Sequence, residues 1–131
     1  MPKKQLAVYL RLSLEDTGAN DESNSITAQR GIIAQFIQGQ PELASMKTVE
    51  FVDDGYSGTN FDRPGFKRMM AMVHSGDVSC IIVKDLSRFA RNYIEAGDYL
   101  EHIFPYLGIR FIAVNNHYDS NKFIGTTGGI D

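Results

Sequence analysis

The spacing of apolar and polar residues divides the chain into short strand-like segments separated by longer helix-like ones. Four segments show the alternating or continuously apolar pattern of β-strands: residues 5–11, 48–52, 79–83 and 110–114. Between them, apolar residues recur at helical spacing in three segments that begin near Ile26, Pro64 and Tyr93. This alternation predicts an α/β domain in which a mostly parallel central sheet is flanked by helices, a three-layer arrangement.

Proline and glycine mark the ends that we predict for the helices. Gly39 and Pro41 close the first helix, and Pro105 and Gly108 break the third. Residues 15–24 are polar and predict a loop, and residues 116–131 lack any periodicity. We therefore expect one domain over residues 1–115, followed by a flexible tail or the start of a linker at 116–131.

Composition and charge narrow the class of protein. A chain of 131 residues with 43% hydrophobic residues can form one domain with a genuine core. No segment has the length of a membrane span and no secretory signal is present, so we expect a cytoplasmic protein. The single cysteine, Cys80, lies in an apolar run and predicts a buried thiol. The net charge of −3 argues against a surface that binds nucleic acid by itself, so DNA chemistry would need DNA-binding regions elsewhere in a longer protein.

The candidate chemistry lies in polar residues that follow the predicted strands. They are Arg11 and Ser13 after the first strand, Asp54, Ser57 and Arg63 after the second, and Lys84, Ser87, Arg88 and Arg91 after the third. Sites in such sheets gather at the carboxyl ends of strands, so we expect these residues to face one crevice. Several arginines around one serine suit attack on a phosphodiester, because guanidinium groups bind phosphate oxygens and offset developing charge.

Other interpretations of the same residues stay open at this level. Ser13 could be a turn or capping residue, and Arg88 with Arg91 could form a solvated helix face. Asp53 and Asp54 could bind Mg²⁺ or accept a phosphoryl group. The three histidines, His74, His102 and His117, are placed like surface residues rather than like a base for the serine. Spacing and composition alone indicate only an α/β domain that handles phosphate.

Three motifs resemble those of the serine site-specific recombinases of the resolvase/invertase superfamily. They are YLRLS at 9–13, DGYSGTNFDRPGF at 54–66 and VKDLSRFARN at 83–92. With the helix that contains Gln29 and the strand RFIAV at 110–114, the resemblance covers nearly all of residues 5–115. It is strongest to the large serine recombinases of transposons, and it implies a resolvase-like catalytic domain.

The resemblance implies a role for each matched residue. Ser13 attacks the DNA phosphate and forms a 5′-phosphoserine linkage, while Arg11, Arg88 and Arg91 grip the scissile phosphate. Four further residues complete or orient the site: Arg63, Gln29, Asp54 and Ser57. Tyr9 supports the first strand. The family needs no metal and no cofactor. Its substrate is double-stranded DNA at recombination sites, on which subunits assemble from dimers into a tetramer.

One residue departs from the family pattern. The family often has aspartate directly before the arginine at position 88, whereas this chain has Ser87 there and Asp85 two residues earlier. Asp85 or Asp54 is the substitute that we expect for the missing acid. Two alternatives to an active recombinase remain: a flavodoxin-like signalling or binding module that uses Asp54, and a catalytically silent assembly domain.

Overall fold

The computed structural model describes residues 4–13 and 25–121. Its strands are β1 Gln5–Leu12, β2 Thr48–Asp54, β3 Val78–Val83, β4 Arg110–Ala113 and β5 Tyr118–Asp119. Its α-helical segments are α1 Ile26–Gln38, α2 Pro41–Ala44, α3 Pro64–His74, α4 Leu86–Phe89, α5 Tyr93–Asp98 and α6 Phe104–Leu107. A π-helical segment, Tyr99–Ile103, joins α5 to α6, and a 3-10 turn, Val114–Asn116, follows β4. Within the described ranges, none of the helices combines the length and the apolarity that crossing a membrane requires.

The strands form one sheet in the order β2-β1-β3-β4-β5. The first four strands run parallel, and β5 pairs antiparallel with β4. Strand β1 lies between β2 and β3, so the chain leaves the carboxyl end of β1 toward one side of the sheet and later crosses to the other. Ligand sites of open α/β sheets lie at such a switch point, which here falls between the ends of β1 and β3.

Helices cover both faces of the sheet and create two apolar cores. On one face, α3 and the helical region 86–107 pack over a core that includes Tyr9, Phe66 and Phe89. On the other face, Ile33 of α1 and Leu43 of α2 pack against the opposite side chains of β1, β3 and β4. The successive side chains of a strand point to opposite faces, which explains why β1 is apolar over most of its length. The predicted three-layer α/β architecture is confirmed.

Local signals in the sequence explain how the longer helices begin. The Ser25 hydroxyl accepts a hydrogen bond from the Ala28 amide at 3.0 Å and caps α1. Pro64 is the first residue of α3, where its missing N–H costs nothing, as predicted.

Pro41 and Pro105 lie at helix positions that differ from our prediction. Pro41 does not only follow the first helix but begins α2, a single turn. Pro105 lies inside the third helical region rather than ending it, and that region continues to Leu107 before Gly108 adopts φ 72°. The π-helical segment directly before Pro105 accounts for this tolerance, since π-turns shift the hydrogen-bond ladder where a proline cannot donate.

The carboxyl-terminal boundary also differs from the expected one at residue 115. Tyr118 pairs with Ala113 and Asp119 with Ile112, so residues 118–119 extend the sheet. The Arg110 guanidinium binds the buried Asp119 carboxylate at 2.6 Å and holds the two strands together. A strand of two residues is too short to produce a periodic pattern, which is why the sequence concealed it. The rest of the expected tail, 122–131, and the predicted loop at 15–24 lie outside the described residues.

Candidate active site

Ser13 lies at the switch point of the sheet, one residue beyond β1. It is 1% exposed, and its neighbour in the strand, Arg11, is completely buried. Arg88 in α4 reaches this point from the end of β3, and its Nη1 donates to the Arg11 carbonyl at 3.0 Å. The structure therefore brings the predicted serine and two of the predicted arginines to one place.

Gln29 fixes the backbone next to the serine from the opposite face of the sheet. Its side-chain Nε2 donates to the Arg11 carbonyl at 2.9 Å, and its Oε1 accepts from the Arg11 amide at 3.3 Å. Two hydrogen bonds to one residue imitate the pairing of a neighbouring strand. Gln29 thus holds the end of β1 in place.

The Arg11 side chain is used mainly within the protein. Its Nε donates to the carbonyl of Arg88 at 2.9 Å, its Nη1 to that of Tyr56 at 2.9 Å and its Nη2 to that of Ser87 at 2.5 Å. These bonds join the loops that follow β2 and β3 to the end of β1. At least three of the five N–H groups of this guanidinium are therefore engaged with carbonyls, which differs from a side chain held open for phosphate.

The charges at the switch point are predominantly positive. Burial together with the neighbouring charges of Arg88 and Arg63 lowers the pKa of Arg11 to about 10. The group is still protonated at neutral pH, because that value lies well above 7. Concentrated positive charge in a partly desolvated crevice favours an anion such as a phosphodiester.

Gly58 allows the loop after β2 to lie directly against Arg11. A Cβ at this position would come within 2.7 Å of Arg11 Nη2 and 3.0 Å of Arg91 Cγ. The Gly58 carbonyl also accepts a hydrogen bond from the Arg91 amide at 2.7 Å. Arg91 itself is exposed, so it is the arginine of the group that solvent reaches.

Tyr9, Asp53 and Arg63 form a second buried group beneath the first. The Tyr9 hydroxyl donates to Asp53 Oδ2 at 2.7 Å and accepts from Arg63 Nη1 at 2.8 Å. Burial raises the pKa of Tyr9, so the phenol stays neutral and serves as a hydrogen-bond bridge. Arg63 also donates to the Phe89 carbonyl at 2.7 Å, which connects α3 to α4.

Asp53 is an acidic residue that is buried inside the domain. Its carboxylate accepts hydrogen bonds from the amides of Gly65 at 2.7 Å and Phe66 at 2.9 Å, at the start of α3. Asp54, which the motif resemblance indicates as a site residue, is exposed at the end of β2. The alternation of β2 could have revealed this, since Phe51 and Asp53 share a face and Phe51 faces the core. With three donors already on its oxygens, Asp53 is poorly suited to bind Mg²⁺ or to accept a phosphoryl group.

Asp85 and Ser87 contact Arg88 from the loop after β3. Ser87 Oγ donates to Asp85 Oδ1 at 2.5 Å and accepts from Arg88 Nη2 at 3.2 Å and Nε at 3.3 Å. Lys84, also buried, places its Nζ 3.8 Å from Asp85 Oδ2. Asp85 therefore contacts the Arg88 side chain through the Ser87 hydroxyl and by a longer ion pair, in which Oδ1 lies 3.7 Å from Nε.

The remaining predicted residues lie apart from this group. Ser57 bonds within its own loop, to Thr59 Oγ1 at 2.8 Å. The three histidines are exposed, as expected, and His102 lies beside Asp98 on the helix surface. Cys80 is buried, and burial raises the pKa of its thiol to about 12.

A cavity of about 620 Å³ opens beside the arginines. It is lined by Asp85, Leu86, Ser87, Ala90, Arg91, Tyr93 and Asn116. The Asn116 side chain accepts from the Leu86 amide at 2.8 Å, so the turn after β4 forms one wall. Solvent therefore reaches Ser87 and Arg91 from the surface of the domain.

Comparison with known proteins identifies the family. The sequence model of the family described as "Resolvase, N terminal domain" matches residues 6–127. The chain belongs to this family. The enzyme class that follows is a serine recombinase, and the function is site-specific DNA recombination.

Solved structures of resolvase-family domains are similar in fold. A resolvase family site-specific recombinase from Streptococcus pneumoniae is 31% identical, with a TM-score of 0.70 over 98% of this chain and 85% of that one. The N-terminal catalytic domain of TP901-1 integrase has a TM-score of 0.76 at 21% identity, over 95% of this chain and 87% of that one.

A third solved structure is also similar in fold. The C-terminal catalytic domain of ISC1926 TnpA, an IS607-like serine recombinase, has a TM-score of 0.63 at 21% identity, over 84% of this chain and 67% of that one. At this identity, it and the integrase domain show the fold alone. No curated protein matches the sequence. The resemblance to serine recombinases is confirmed, and the alternative of a signalling module is not favoured.

Proposed function

We propose that this domain cleaves and rejoins DNA at recombination sites, with Ser13 as the covalent nucleophile. The observation that carries the proposal is the position of Ser13 at the switch point, two residues beyond Arg11. The Arg11 side chain donates to the Arg88 carbonyl, and the Arg88 side chain donates to the Arg11 carbonyl. One hydroxyl and two guanidinium groups therefore lie in the same region of the domain. A phosphodiester suits both groups, because a hydroxyl can attack its phosphorus and guanidinium groups bind its oxygens.

The reaction exchanges one phosphodiester for another. Ser13 Oγ attacks the phosphorus, the bond to the 3′-oxygen breaks, and the 5′-phosphate remains on the serine. The serine proton is lost and the departing 3′-oxygen gains one, so the strand ends in a 3′-hydroxyl. Rejoining is the reverse attack by a 3′-hydroxyl after the strands have exchanged. Because the phosphoserine linkage conserves the energy of the broken phosphodiester bond, the same residues can catalyse both cleavage and rejoining.

The arginines divide into two roles in this proposal. Arg88 and Arg91 contact the non-bridging oxygens. Arg91 is already exposed, whereas Arg88, which is 3% exposed and hydrogen-bonded within the protein, becomes accessible when the domain opens around Ser13. Arg11, held by three carbonyls, adds its charge to the field at the phosphate and fixes the loops around it. Charge that is already in place stabilises the transition state without reorganisation.

Other residues hold this arrangement from beneath. Gln29 fixes the backbone of Arg11, and Tyr9 with Arg63 ties β1 to α3 and α4. Asp53 completes that group, since its carboxylate accepts from the Tyr9 hydroxyl. Asp54 and Ser57 lie on the loop side of the site, where they remain candidates for contacts with DNA rather than with the serine.

The reaction requires the domain to open around the serine. Ser13 is 1% exposed, so a phosphodiester cannot reach its Oγ in the present conformation. We propose that assembly of subunits on paired DNA sites, from dimer to tetramer, provides this opening. Such coupling would prevent cleavage of DNA before both partner sites are bound.

The test is covalent trapping on DNA with the full-length protein. The probe is duplex DNA that spans the ends of the mobile element encoding the protein, and the product is an adduct that survives denaturation. Ser13→Ala should abolish the adduct, and Ser45→Ala, which changes an exposed hydroxyl at the end of α2, should leave it unchanged. An adduct of normal yield from Ser13→Ala would overturn the proposal.

A further inference from the structure

The loop after β3 contains an acidic residue, Asp85, beside the Arg88 side chain. Asp85 is 22% exposed at its side chain, and Oδ1 lies 3.7 Å from Arg88 Nε, within the distance of an ion pair but beyond hydrogen-bond distance. The gap is filled by Ser87. Its Oγ lies 2.5 Å from Asp85 Oδ1 and 3.2 Å and 3.3 Å from two nitrogens of Arg88.

The directions of these bonds define what Ser87 does. A hydroxyl has one proton and two lone pairs, and the guanidinium can only donate. Ser87 must therefore accept from Arg88 and give its proton to Asp85. Because the negative carboxylate draws that proton, the Ser87 oxygen becomes a better acceptor for the guanidinium.

Two groups among the described residues bind opposite sides of the Arg88 guanidinium. Nη1 is held by the Arg11 carbonyl at 3.0 Å, and Nε with Nη2 is held by Ser87. Two anchors on opposite sides fix the plane of the group. A fixed plane matters because guanidinium binds phosphate oxygens through paired, directional hydrogen bonds.

We propose that Asp85 is a positioning residue that acts through Ser87 to hold the Arg88 guanidinium for the transition state of DNA cleavage. The inference rests on the proposed function, in which Arg88 contacts the scissile phosphate. The Asp85–Ser87 pair affects the rate of cleavage and leaves DNA affinity almost unchanged. Only contacts that strengthen in the transition state change the rate at saturating DNA.

A simpler role for Asp85 is available and must be separated from this one. Asp85 also caps α4, since its Oδ1 accepts from the Arg88 amide at 3.2 Å. Asn caps helices as well as Asp does. Asp85→Asn therefore keeps the cap and an acceptor for Ser87 while it removes the charge.

The experiment measures adduct formation at saturating DNA with the full-length protein and the same duplex as above, and DNA affinity is measured in parallel. We expect Asp85→Asn to slow adduct formation by about tenfold or more, which is the effect of losing one charge-assisted contact. Ser87→Ala should slow it similarly, and the double variant should be no slower than Ser87→Ala, because the two residues act in series. DNA affinity should stay within about twofold of the wild type.

Restoring an acid next to Arg88 provides the decisive variant. Adding Ser87→Asp to Asp85→Asn places a carboxylate where Ser87 Oγ now lies and should recover most of the rate. The matched control is Asp77→Asn, which removes the acid of a similar but exposed pair, in which Ser75 Oγ donates to Asp77 Oδ2 at 2.7 Å. This control should cleave like the wild type.

The outcomes separate this inference from the proposed function. If the wild type forms no adduct, or Ser13→Ala still forms one, the proposed function fails. If the wild type forms the adduct and Asp85→Asn cleaves at the same rate, or the added Ser87→Asp recovers nothing in a folded protein, the positioning role is wrong. If Asp85→Asn unfolds, Ser87→Ala decides, since that variant leaves the α4 cap in place.

Discussion

The arginines around Ser13 differ in what they contact, and this difference decides how each can be tested. Arg11 and Arg63 are buried completely and bind backbone carbonyls, so their loss would damage the fold as well as the chemistry. Arg91 is exposed, and its backbone amide donates to the Gly58 carbonyl at 2.7 Å. Because Arg91 is exposed, we expect its substitution to disturb the fold less than substitution of Arg11 or Arg63.

We expect Arg91→Ala to slow formation of the DNA adduct by about 10- to 100-fold. The reason is the loss of one charge-assisted contact to the phosphate, worth about 1.5–3 kcal/mol. The matched control is Arg68→Ala, which removes an exposed arginine from α3 and should change the rate by no more than about twofold. Equal rates for Arg91→Ala and Arg68→Ala would remove Arg91 from the site. Single-turnover assays with the full-length protein measure both.

Cys80 gives a prediction about pH that is independent of the active site. Burial raises the pKa of its thiol from 9.0 to about 12. Between these values the unfolded chain loses the thiol proton while the folded domain keeps it, so the folded state binds more protons and stability falls as pH rises. Urea unfolding at several pH values should show a steeper alkaline decline for the wild type than for Cys80→Ala. Parallel declines would contradict the burial of the thiol.

At the scale of the elements, most of the fold could be predicted because its longer segments are strongly patterned. Strands β1 to β4 and helices α1 and α3 have regular apolar spacing, and Pro64 marks a helix start. The one-turn helices α2 and α4 and the two-residue strand β5 could not be predicted, because each spans only about one period of its apolar pattern and a pattern needs repeats to be seen. Pro105 misled the prediction, since the π-helical segment before it depends on tertiary packing.

The site was predictable to a similar degree. Arg11, Ser13 and Arg88 lie at or just beyond the ends of β1 and β3, and the parallel sheet brings those ends together. Gln29 reaches the same region from α1. The choice between Asp53 and Asp54 depends on which face of β2 points inward. The link between Asp85 and Arg88 through Ser87 depends on side-chain geometry that no spacing encodes.

The contact between α3 and β2 gives a prediction about close packing. At Gly65, a Cβ would lie 2.9 Å from both carboxylate oxygens of the buried Asp53. Gly65→Ala should therefore lower the free energy of unfolding by about 1–3 kcal/mol, because Asp53 is held by three hydrogen bonds and cannot move aside.

The matched control for this contact is Gly31→Ala in α1, where a Cβ would meet nothing within 4 Å. It should raise the free energy of unfolding by about 0.5–1 kcal/mol, since glycine weakens a helix interior. Urea titration of both variants provides the measurement. Similar shifts in the two variants would show that the approach of Gly65 to Asp53 does not constrain the domain.

At the scale of the whole molecule, charge and chemistry point to a division of labour. The chain carries a net charge of −3, while Arg11, Arg63, Arg88 and Arg91 lie close together near the switch point of the sheet. Such a molecule can act on a phosphate that is delivered to it but gains little from non-specific attraction to DNA. We infer that other regions of the full-length protein hold the DNA.

We therefore expect residues 1–131 alone to bind duplex DNA weakly, with a dissociation constant above about 1 μM at roughly 0.15 M salt. Fluorescence anisotropy with the mobile-element duplex and with an unrelated duplex of equal length measures this directly. A sequence-specific complex of nanomolar affinity would contradict the division of labour.

The central claim is that Ser13 becomes linked to the 5′-phosphate of the cleaved strand. The most direct measurement is mass spectrometry of the nuclease- and protease-digested adduct, with extension of the released DNA end by a polymerase. The account predicts a nucleotide-modified peptide with the linkage on Ser13 and a 3′-hydroxyl that can be extended. A linkage on another residue, or on the 3′-phosphate, would contradict it.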